Sequence, residues 1–510
     1  MERRDLLKLA SATAAAGWLP RAGRAQPRLA SDPFALGVAS GSPTHDSVVL
    51  WTRLMGMLPA QPLAVQWEVA HDEQFQRIAQ RGQQEALPQL AHSVHVEAGG
   101  LEPDRWYFYR FLAGGAASPV GRTRTMPAPD AMPARLRLAY ASCQRWEHGY
   151  YGAYRHMRAE DLDLVLFLGD YIYENPSSAG AVRVGGKDWT LTLQDYRERH
   201  ALYRSDPDLQ AMHAACPWLF AWDDHEVQND YAGLTPGDAG PQVQDFAHRR
   251  AAAYQAYYEH MPVRASVLSR SPGPQGRLHS QQRFGRLANL VMLDTRQYRD
   301  AQACNPRGRL GSATVDPQAC PAWEDAGRTM LGTAQEQWLE AVLARGHATW
   351  TIFGQQTIFG QRDFKPGEGR LLWNDCWDGY PVARRRLTDS LQRHRVANPV
   401  FVGGDVHENW VGHVKADYGR PDSEDVGVEF CGTSITSRSG GHPRADAILR
   451  ENPHYVFGDT DRKGYGVLEF TPRGLASRLR VVDDVTRPDN RIETLAAFAV
   501  QAGRARVERS

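Results

Sequence analysis

The sequence predicts a two-part protein, with an all-β module first and a larger α/β domain behind it. Between about Ala35 and Thr125, short runs of alternating β-branched and aromatic residues are separated by turn residues, without a helical pattern. The Pro/Ala-rich stretch "MPAPDAMPAR", residues 126–135, is typical of a linker. Behind it, continuous apolar runs alternate with helical stretches, which is the pattern of a sheet covered by helices.

The first module is expected to be a β-sandwich over residues 32–128. The segments "SVVLWTRL" and "LAVQWEVA" alternate as strands with one buried face do, and "GLEPDRWYFYRFLAGG" contains a strand between two turns. Strands at this spacing favour a sandwich of the immunoglobulin or fibronectin kind. No residues in the module have catalytic spacing, so we interpret it as structural.

Six apolar runs of the second part, expected over residues 135–486, end at residues that can bind a metal or a polar ligand. The runs are "RLRLAYAS", "LDLVLFLG", "PWLFAW", "ANLVMLD", "ATWTIFG" and "NPVFVGG". The residues that close or follow them are Cys143, Asp170, Asp223 with Asp224, Asp294, Gln355 with Gln356, and Asp405. Ligands of α/β sheets gather at the carboxyl ends of the strands, so these side chains are predicted to converge on one site.

Each of these residues also has a purely structural interpretation when it is taken alone. Cys143 is compatible with an inert buried thiol, Asp170 with a helix N-cap, and Tyr173 with packing beside a strand end. Asp405 and His407 are two residues apart in "GDVHENW", which puts them on the same side if the segment is extended. The prediction of a site therefore rests on the whole set.

The residue types in this set indicate a multinuclear metal centre of mixed character. A thiolate, a phenolate and a carboxylate together can hold Fe(III), whereas Asp, Asn and Gln oxygens suit Ca2+ or Mn2+. The sequence has no close cysteine pairs of the kind that build structural zinc sites. A centre of this kind suits hydrolysis of a phosphate ester, with His225, next to Asp224, as the candidate proton donor to the leaving oxygen.

Composition gives no support for specific nucleic-acid binding or for a transmembrane segment. The chain of 510 residues contains Lys+Arg 59 and Asp+Glu 59, and this balance gives no reason to expect specific nucleic-acid binding. No stretch of roughly 20 apolar residues predicts a transmembrane segment.

The first residues have the features of an export signal. Residues 1–25 begin "MERRDLLK" and continue through a mild, Ala-rich apolar stretch, which predicts a twin-arginine signal peptide, the twin-arginine translocase as a partner and a periplasmic or secreted location. The alternative is an ordinary amphipathic helix with two surface arginines. An oxidising destination favours a disulfide between Cys304 and Cys320, which bracket a loop rich in Gly, Pro and Ser.

Seven motifs occur in the order seen in one enzyme family. They are "ASCQRWEHGYYGAY", "FLGDYIYE", "WDDHEVQNDY", "LDTRQYR", "GQQ", "WDGYP" and "GGDVHENW". Through them the sequence resembles the alkaline phosphatase D (PhoD-like) family of metallophosphoesterases over nearly its whole length. The resemblance implies a calcineurin-like α/β/β/α sandwich behind a fibronectin-like module, and a secreted phosphatase with Fe(III) and Ca2+, for which Mn2+, Zn2+ or Mg2+ are substitutes.

The resemblance also implies roles for individual residues. The implied iron ligands are Cys143, Asp170, Tyr173 and His407, with Asp170 bridging to calcium. The implied calcium-side ligands are Asp224, Gln355 or Gln356, and Asp405, with Asn229 as a weaker candidate and Asp223 as either a ligand or the partner of one. The position of Asp224 is usually Asn in the wider superfamily and is followed by the catalytic histidine, which supports His225. Arg296 either binds phosphate or pairs with Asp294 beneath the site, and "WDGYP" is interpreted as a structural loop.

The implied reaction is hydrolysis of phosphate mono- or diesters by attack of a metal-bound hydroxide, with His225 assisting the leaving group. One alternative is a phosphodiesterase or phospholipase D that acts on lipid or teichoic-acid diesters. Another is an exported, non-catalytic binding protein whose metal is structural. Residues 487–510, which contain "RIETLAAFAVQAGRARVERS", are expected to form an amphipathic helix that either covers the site or packs on the surface.

Overall fold

The computed structural model describes residue 29 and residues 31–269, 276–346, 348–420, 422–440 and 445–510. The predicted leader, residues 1–25, lies outside this part of the chain and stays a prediction. Within the described ranges, none of the helices has the length and apolarity needed to cross a membrane.

Strands make up most of the regular structure. Those of the N-terminal part are β1 (Val38–Gly41), β2 (Ser47–Arg53), β3 (Leu63–Ala70), β4 (Ile78–Ala86), β5 (Ser93–Gly99), β6 (Trp106–Ala113), β7 (Ala116–Ala117) and β8 (Gly121–Arg124). Those that follow are β9 (Leu136–Ala141), β10 (Leu164–Phe167), β11 (Trp218–Phe220), β12 (Ser280–Phe284), β13 (Ala288–Met292), β14 (Thr314–Val315), β15 (Trp350–Gly354), β16 (Leu372–Trp373), β17 (Pro399–Gly403), β18 (Asn409–Lys415), β19 (Asp425–Cys431), β20 (Tyr455–Asp459), β21 (Lys463–Phe470), β22 (Gly474–Val482), β23 (Ile492–Gln501) and β24 (Val507–Arg509).

The helices lie between the strands of the second part. They are α1 (Gly152–Met157), α2 (Leu193–Arg204), α3 (Pro207–His213), α4 (Phe246–His260), α5 (Ser266–Ser269), α6 (Gly332–Ala344), α7 (Pro381–Arg393) and α8 (Ala445–Glu451). Short 3-10 turns span Pro88–Leu90, Trp146–His148, Arg158–Glu160, Pro317–Ala319, Pro321–Glu324 and Trp377–Gly379.

Two large sheets form the centre of the second part. The first has the order β24-β23-β22-β21-β9-β10-β11-β1-β2-β5, and the second has the order β12-β13-β15-β17-β19-β18-β20. Strands β9, β10 and β11 are parallel to one another, as are β13, β15, β17 and β19. Because these strands are buried on both faces, their sequences are continuously apolar.

The layers are arranged helix, sheet, sheet, helix. The inner faces of the two sheets share one core, which includes Leu138, Leu166, Leu290, Ile352, Val400 and Leu468. The outer face of the first sheet packs on α1 to α4, and the outer face of the second sheet packs on α6 and α7. The predicted α/β/β/α sandwich is therefore confirmed.

The N-terminal part is a β-sandwich, as predicted, but one of its sheets continues into the second part. Strands β1, β2 and β5 pack on β3 and β6 around a core of their own. Strand β1 also pairs in parallel with β11, where Gly41 faces Trp218. A Cβ atom on Gly41 would lie 2.5 Å from the carbonyl oxygen of Pro262, so this junction requires glycine. The indole of Trp51 further donates to the carbonyl of Glu259 (3.1 Å).

The predicted helix within residues 487–510 is wrong, because Ile492–Gln501 and Val507–Arg509 are strands. Ala496, Phe498 and Val500 are buried in alternation, and β23 pairs with β22 along its length. The alanine-rich composition suggested a helix, but burial of one face against the shared core outweighs this propensity. The segment completes the first sheet, so it is not a separate cover over a site.

The disulfide prediction is confirmed. Cys304 and Cys320 are bonded, with a Cα–Cα distance of 5.8 Å, and close a loop of sequence separation 16. The remaining described cysteines, Cys143, Cys216, Cys376 and Cys431, are buried free thiols.

Replacing Phe498 tests the strand assignment of the C-terminal segment. The side chain is 1% exposed, so Phe498→Ala should lower the free energy of unfolding by about 3–5 kcal/mol, measured by urea denaturation with fluorescence detection. The matched control is Gln501→Ala on the exposed end of the same strand, which should change it by less than about 0.5 kcal/mol. A loss below about 1 kcal/mol for Phe498→Ala would contradict the assignment.

Candidate metal centre

The two sheets bring the carboxyl ends of their parallel strands to a common edge. The first sheet contributes the residues after β9, β10 and β11, and the second contributes those after β13, β15 and β17. Ligand atoms of Asp170, Asp223, Asp224 and Asp405 lie within 4.8 Å of one another at this edge. The convergence expected from the six strand ends is thus present for residues from both sheets.

Left-handed backbone conformations aim several of these side chains. Cys143, Asp170, Asp405 and His407 have φ values of 58°, 56°, 66° and 59°. Such values cost energy for residues with a Cβ atom, and they cluster at functional sites. The segment of Asp405 and His407 is not extended, so the condition for a shared side is not met, and a turn orients both residues.

Asp170 belongs to three groups of candidate ligands, one of which consists of Asp170, Asp224 and His225. In the first group, ligand atoms of Cys143, Asp170 and His407 lie within 4.8 Å of one another. The hydroxyl of Tyr173 donates to Asp170 Oδ2 (2.8 Å) and lies 3.1 Å from His407 Nε2. A thiol, a carboxylate, a phenol and an imidazole therefore lie around one position.

Burial and the neighbouring carboxylate keep the thiol and the phenol of this first group protonated. Burial, followed by the charge of Asp170, raises the pKa of the Cys143 thiol well above its usual range. Burial and Asp170 likewise raise the pKa of Tyr173. Both groups would stay protonated beside a buried carboxylate, and a bound cation is what would ionise them. The donor set thus fits Fe(III), which binds thiolate and phenolate.

The second group consists of the carboxylates of Asp170, Asp223, Asp224 and Asp405. Three of its buried oxygens, Oδ2 of Asp223, Oδ1 of Asp224 and Oδ2 of Asp405, have no hydrogen-bond partner among the described residues. Unpaired buried carboxylate oxygens are costly unless a cation compensates them. This group fits a hard cation with oxygen ligands, such as Ca2+.

Arg296 is the guanidinium closest to the carboxylates of the second group. Its side chain is fully buried, donates to Asp223 and Asp375, and has Nη2 3.4 Å from Asp405 Oδ1. The Arg296 guanidinium does not pair with Asp294, since it donates to Asp223 and Asp375; only the backbone N–H of Arg296 donates to the Asp294 carboxylate (3.1 Å). Arg296 therefore supplies counter-charge inside the cluster.

His225 is held by a carboxylate partner. Its Nδ1 lies 2.6 Å from Glu174 Oε2, and its ring packs 4.1 Å from the ring of Tyr173. Burial lowers the pKa of His225, but Glu174, Asp170 and Asp224 raise it, and the net shift is well above the usual value. The Glu174 contact uses Nδ1, which leaves Nε2 for a ligand or a substrate.

The remaining predicted ligands lie at or near this edge of the sheets, but fewer of their polar atoms are free to bind a cation. The amide of Gln356 accepts from Thr295 and donates to the carbonyls of Trp222 and Leu293, so all its polar atoms are engaged. Gln355 accepts one bond from the indole of Trp377 (3.0 Å) and keeps acceptor capacity. Asn229 is half-buried, and its backbone N–H donates to Glu174.

Two further aspartates escaped the sequence analysis. Asp230 and Asp375 form a fourth group with Asp224, again with ligand atoms within 4.8 Å. Asp375 is fully buried and accepts from Arg296, Arg299 (2.5 Å) and Gln302 (2.5 Å). Neither aspartate follows an apolar run, so the strand-end signal could not find them, although Asp230 belongs to the motif "WDDHEVQNDY".

Glu226 organises the backbone beneath the ligands. Its carboxylate accepts from the backbone amides of Asp170 (3.1 Å), Tyr171 (2.6 Å) and Asp223 (2.7 Å). These amides belong to the turns after β10 and β11, so one side chain ties the two turns together. Burial raises the pKa of Glu226 to about 7. The sequence places Glu226 beside His225 but contains no sign of this role.

Glu226→Gln tests whether this support matters for metal binding. A glutamine presents one amide nitrogen toward N–H donors, so at least one backbone bond is lost, and metal affinity should fall by roughly 10- to 100-fold. Metal content after dialysis against buffered metal is the measurement. Glu198→Gln, at an exposed position of α2, is the matched control and should keep its metal. Wild-type metal content in Glu226→Gln would contradict the role.

Known proteins share both the sequence and the architecture. The profile of the family described as "PhoD-like phosphatase" matches residues 138–479, and that of "PhoD-like phosphatase, N-terminal domain" matches residues 19–127. Alkaline phosphatase D of Bacillus subtilis (strain 168) is 47% identical over 491 residues, covering 94% of this chain and 82% of that relative. The solved structure described as "Structure of PhoD" superposes with a TM-score of 0.88 at 46% identity, covering 95% of this chain and 93% of the other.

The chain agrees with these proteins in sequence and in fold over nearly its full length, and this agreement shows its family. The chain belongs to the PhoD-like phosphatase family and is a phosphoric ester hydrolase.

Proposed function

We propose that this chain is an exported phosphatase that hydrolyses phosphate mono- and diesters with Fe(III) and Ca2+. Fe(III) would be held by Cys143, Asp170, Tyr173 and His407. Ca2+ would be held by Asp170, Asp223, Asp224, Asp405, Gln355 and Asn229; of the two glutamines, Gln355 is the ligand in this proposal because the polar atoms of Gln356 are all engaged. The observation that carries the proposal is the set of buried carboxylate oxygens near Asp170 that have no hydrogen-bond partner among the described residues; one of them, Asp224 Oδ1, lies 3.7 Å from Arg296 Nη2. Mn2+, Zn2+ and Mg2+ are the cations that could replace Fe(III) or Ca2+ in this proposal.

The protein residues position and neutralise the reacting groups. Bound cations would offset the charge of the phosphoryl oxygens and lower the pKa of water. Arg296 holds Asp223 and Asp375 in place through its buried guanidinium, which makes it a positioning residue in this proposal. Because its side chain is not exposed, it is better placed to orient the carboxylates than to contact a phosphate.

His225 is the candidate general acid. The Glu174 carboxylate favours the protonated imidazole and fixes its ring orientation, so Nε2–H is the atom that would donate to the leaving oxygen. The same geometry also suits a metal ligand, since ligating histidines commonly bond a carboxylate through the other nitrogen. The two roles differ in what happens to the metal when the imidazole is removed.

His225→Gln separates these roles. If His225 is the acid, kcat for an alkyl phosphate should fall by roughly 100- to 10,000-fold, with a smaller loss for 4-nitrophenyl phosphate, whose leaving group needs no proton. Metal content should remain that of the wild type. His248→Gln, at an exposed position of α4, is the control and should change nothing. Loss of metal from His225→Gln would instead make His225 a ligand.

Metal analysis and chelation test the centre itself. The purified protein should contain iron and calcium, and chelation should abolish hydrolysis of 4-nitrophenyl phosphate and bis(4-nitrophenyl) phosphate. Asp405→Ala removes an oxygen ligand and should lose metal and activity together, whereas the exposed Asp389→Ala should retain both. Wild-type metal content and turnover in Asp405→Ala would overturn the assignment.

A substrate panel distinguishes the phosphatase from its alternative. Hydrolysis of diesters only, including lipid and teichoic-acid diesters, would favour a phosphodiesterase or phospholipase D.

The proposed location is periplasmic or secreted, through the twin-arginine translocase, and replacement of the paired arginines by lysines should retain the protein in the cytoplasm.

A further inference from the structure

Three basic residues lie beside the Cys143 side of the metal centre and open toward the surface. We call Arg145, His148 and Arg438 the basic rim. Arg145 follows Cys143 by two residues, and its guanidinium carbon is 5.3 Å from the ring centre of Tyr173. Arg438 is exposed, and its carbonyl oxygen lies 2.7 Å from Nδ1 of His407. The rim therefore contacts two residues of the candidate centre.

The guanidinium groups of the rim have little charge compensation. Arg145 has one ion pair, from Nε to Glu147 Oε2 at 3.5 Å, and its side chain is 15% exposed. Arg438 uses only its backbone in hydrogen bonds, to His148 and His407, and its guanidinium has no ion-pair partner in the part of the chain that the structure describes. Two guanidinium groups with little charge compensation thus belong to residues that contact the candidate centre.

His148 adds a third donor. Its Nδ1 accepts a hydrogen bond from the backbone N–H of Arg438 (3.0 Å), so the proton of the neutral ring is on Nε2. Burial, with repulsion from Arg145, Arg438 and Lys463, lowers the pKa of His148 to about 3, so the neutral ring persists. Lys463 itself is engaged, since its Nζ donates to the carbonyl of His407 and to Ser439.

We propose that the basic rim binds a second anionic group of the substrate, a carboxylate or a second phosphate, next to the ester that is cleaved. Guanidinium forks match the oxygens of both anions, and the cations of the rim have few carboxylates to satisfy them. The inference rests on the proposed function and narrows it, because esters that carry a second negative charge become the preferred substrates.

A pair of non-hydrolysable probes tests the inference in the metal-loaded full chain. Calorimetry should show that 4-carboxyphenylphosphonate binds ~10-fold more tightly than phenylphosphonate, the effect expected of one charge-assisted hydrogen bond. Arg438→Gln should remove most of this preference, and Arg438→Lys should keep part of it. Arg473→Gln is the matched control, because Arg473 is exposed behind Phe470, which pairs with Leu136 at the opposite end of β9 from Cys143.

The outcomes separate the inference from the function on which it rests. Equal binding of the two phosphonates to the wild type would overturn the basic rim while leaving the phosphatase intact. A preference that survives in both Arg438→Gln and Arg145→Gln would overturn it as well. If neither phosphonate binds, the proposed phosphate site fails, and the inference fails with it. The inference is supported if the preference for 4-carboxyphenylphosphonate is lost in the rim variants and kept in Arg473→Gln.

Discussion

Buried negative charge is the constraint on which the rest of this molecule depends. Several aspartates share a region closed to solvent, where Arg296 is the guanidinium that contacts Asp223 and Asp375 and approaches Asp405. One cation cannot balance them, and like charges at this separation in a poorly hydrated region repel strongly. The fold must therefore hold groups together that would otherwise separate. Two sheets packed on one core provide the necessary rigidity.

Much of this arrangement is visible in the sequence, because parallel strands buried on both faces have a simple pattern. Continuous apolar runs mark the strands, and the residue after each run marks the edge where ligands collect. Cys143, Asp170 and Asp405 could be found in this way. Asp170 and Tyr173 could also be paired from their spacing, and their contact in the structure bears this out.

The features that the sequence could not reveal depend on contacts between distant or backbone groups. Asp375 reaches the centre from a loop, and only the fold brings it to Arg296. The partners of Glu226 are backbone amides, which every residue but proline carries. Near the C-terminus, the alanines of β23 made it difficult to recognise that buried and less buried residues alternate along the strand, which packs beside β22. Tertiary context decides such cases, and local propensity does not.

The placement of β9 has a consequence for how the protein folds during its synthesis. This strand lies between β10 and β21, and its Arg137 bonds Glu469, which is 332 residues away along the chain. The middle of the first sheet therefore stays open on the ribosome until β21 has been synthesised, and contacts between such distant segments form slowly. Cys143 follows β9 directly, so its surroundings are incomplete until then. The proposed metal centre is therefore completed only after synthesis of most of the chain.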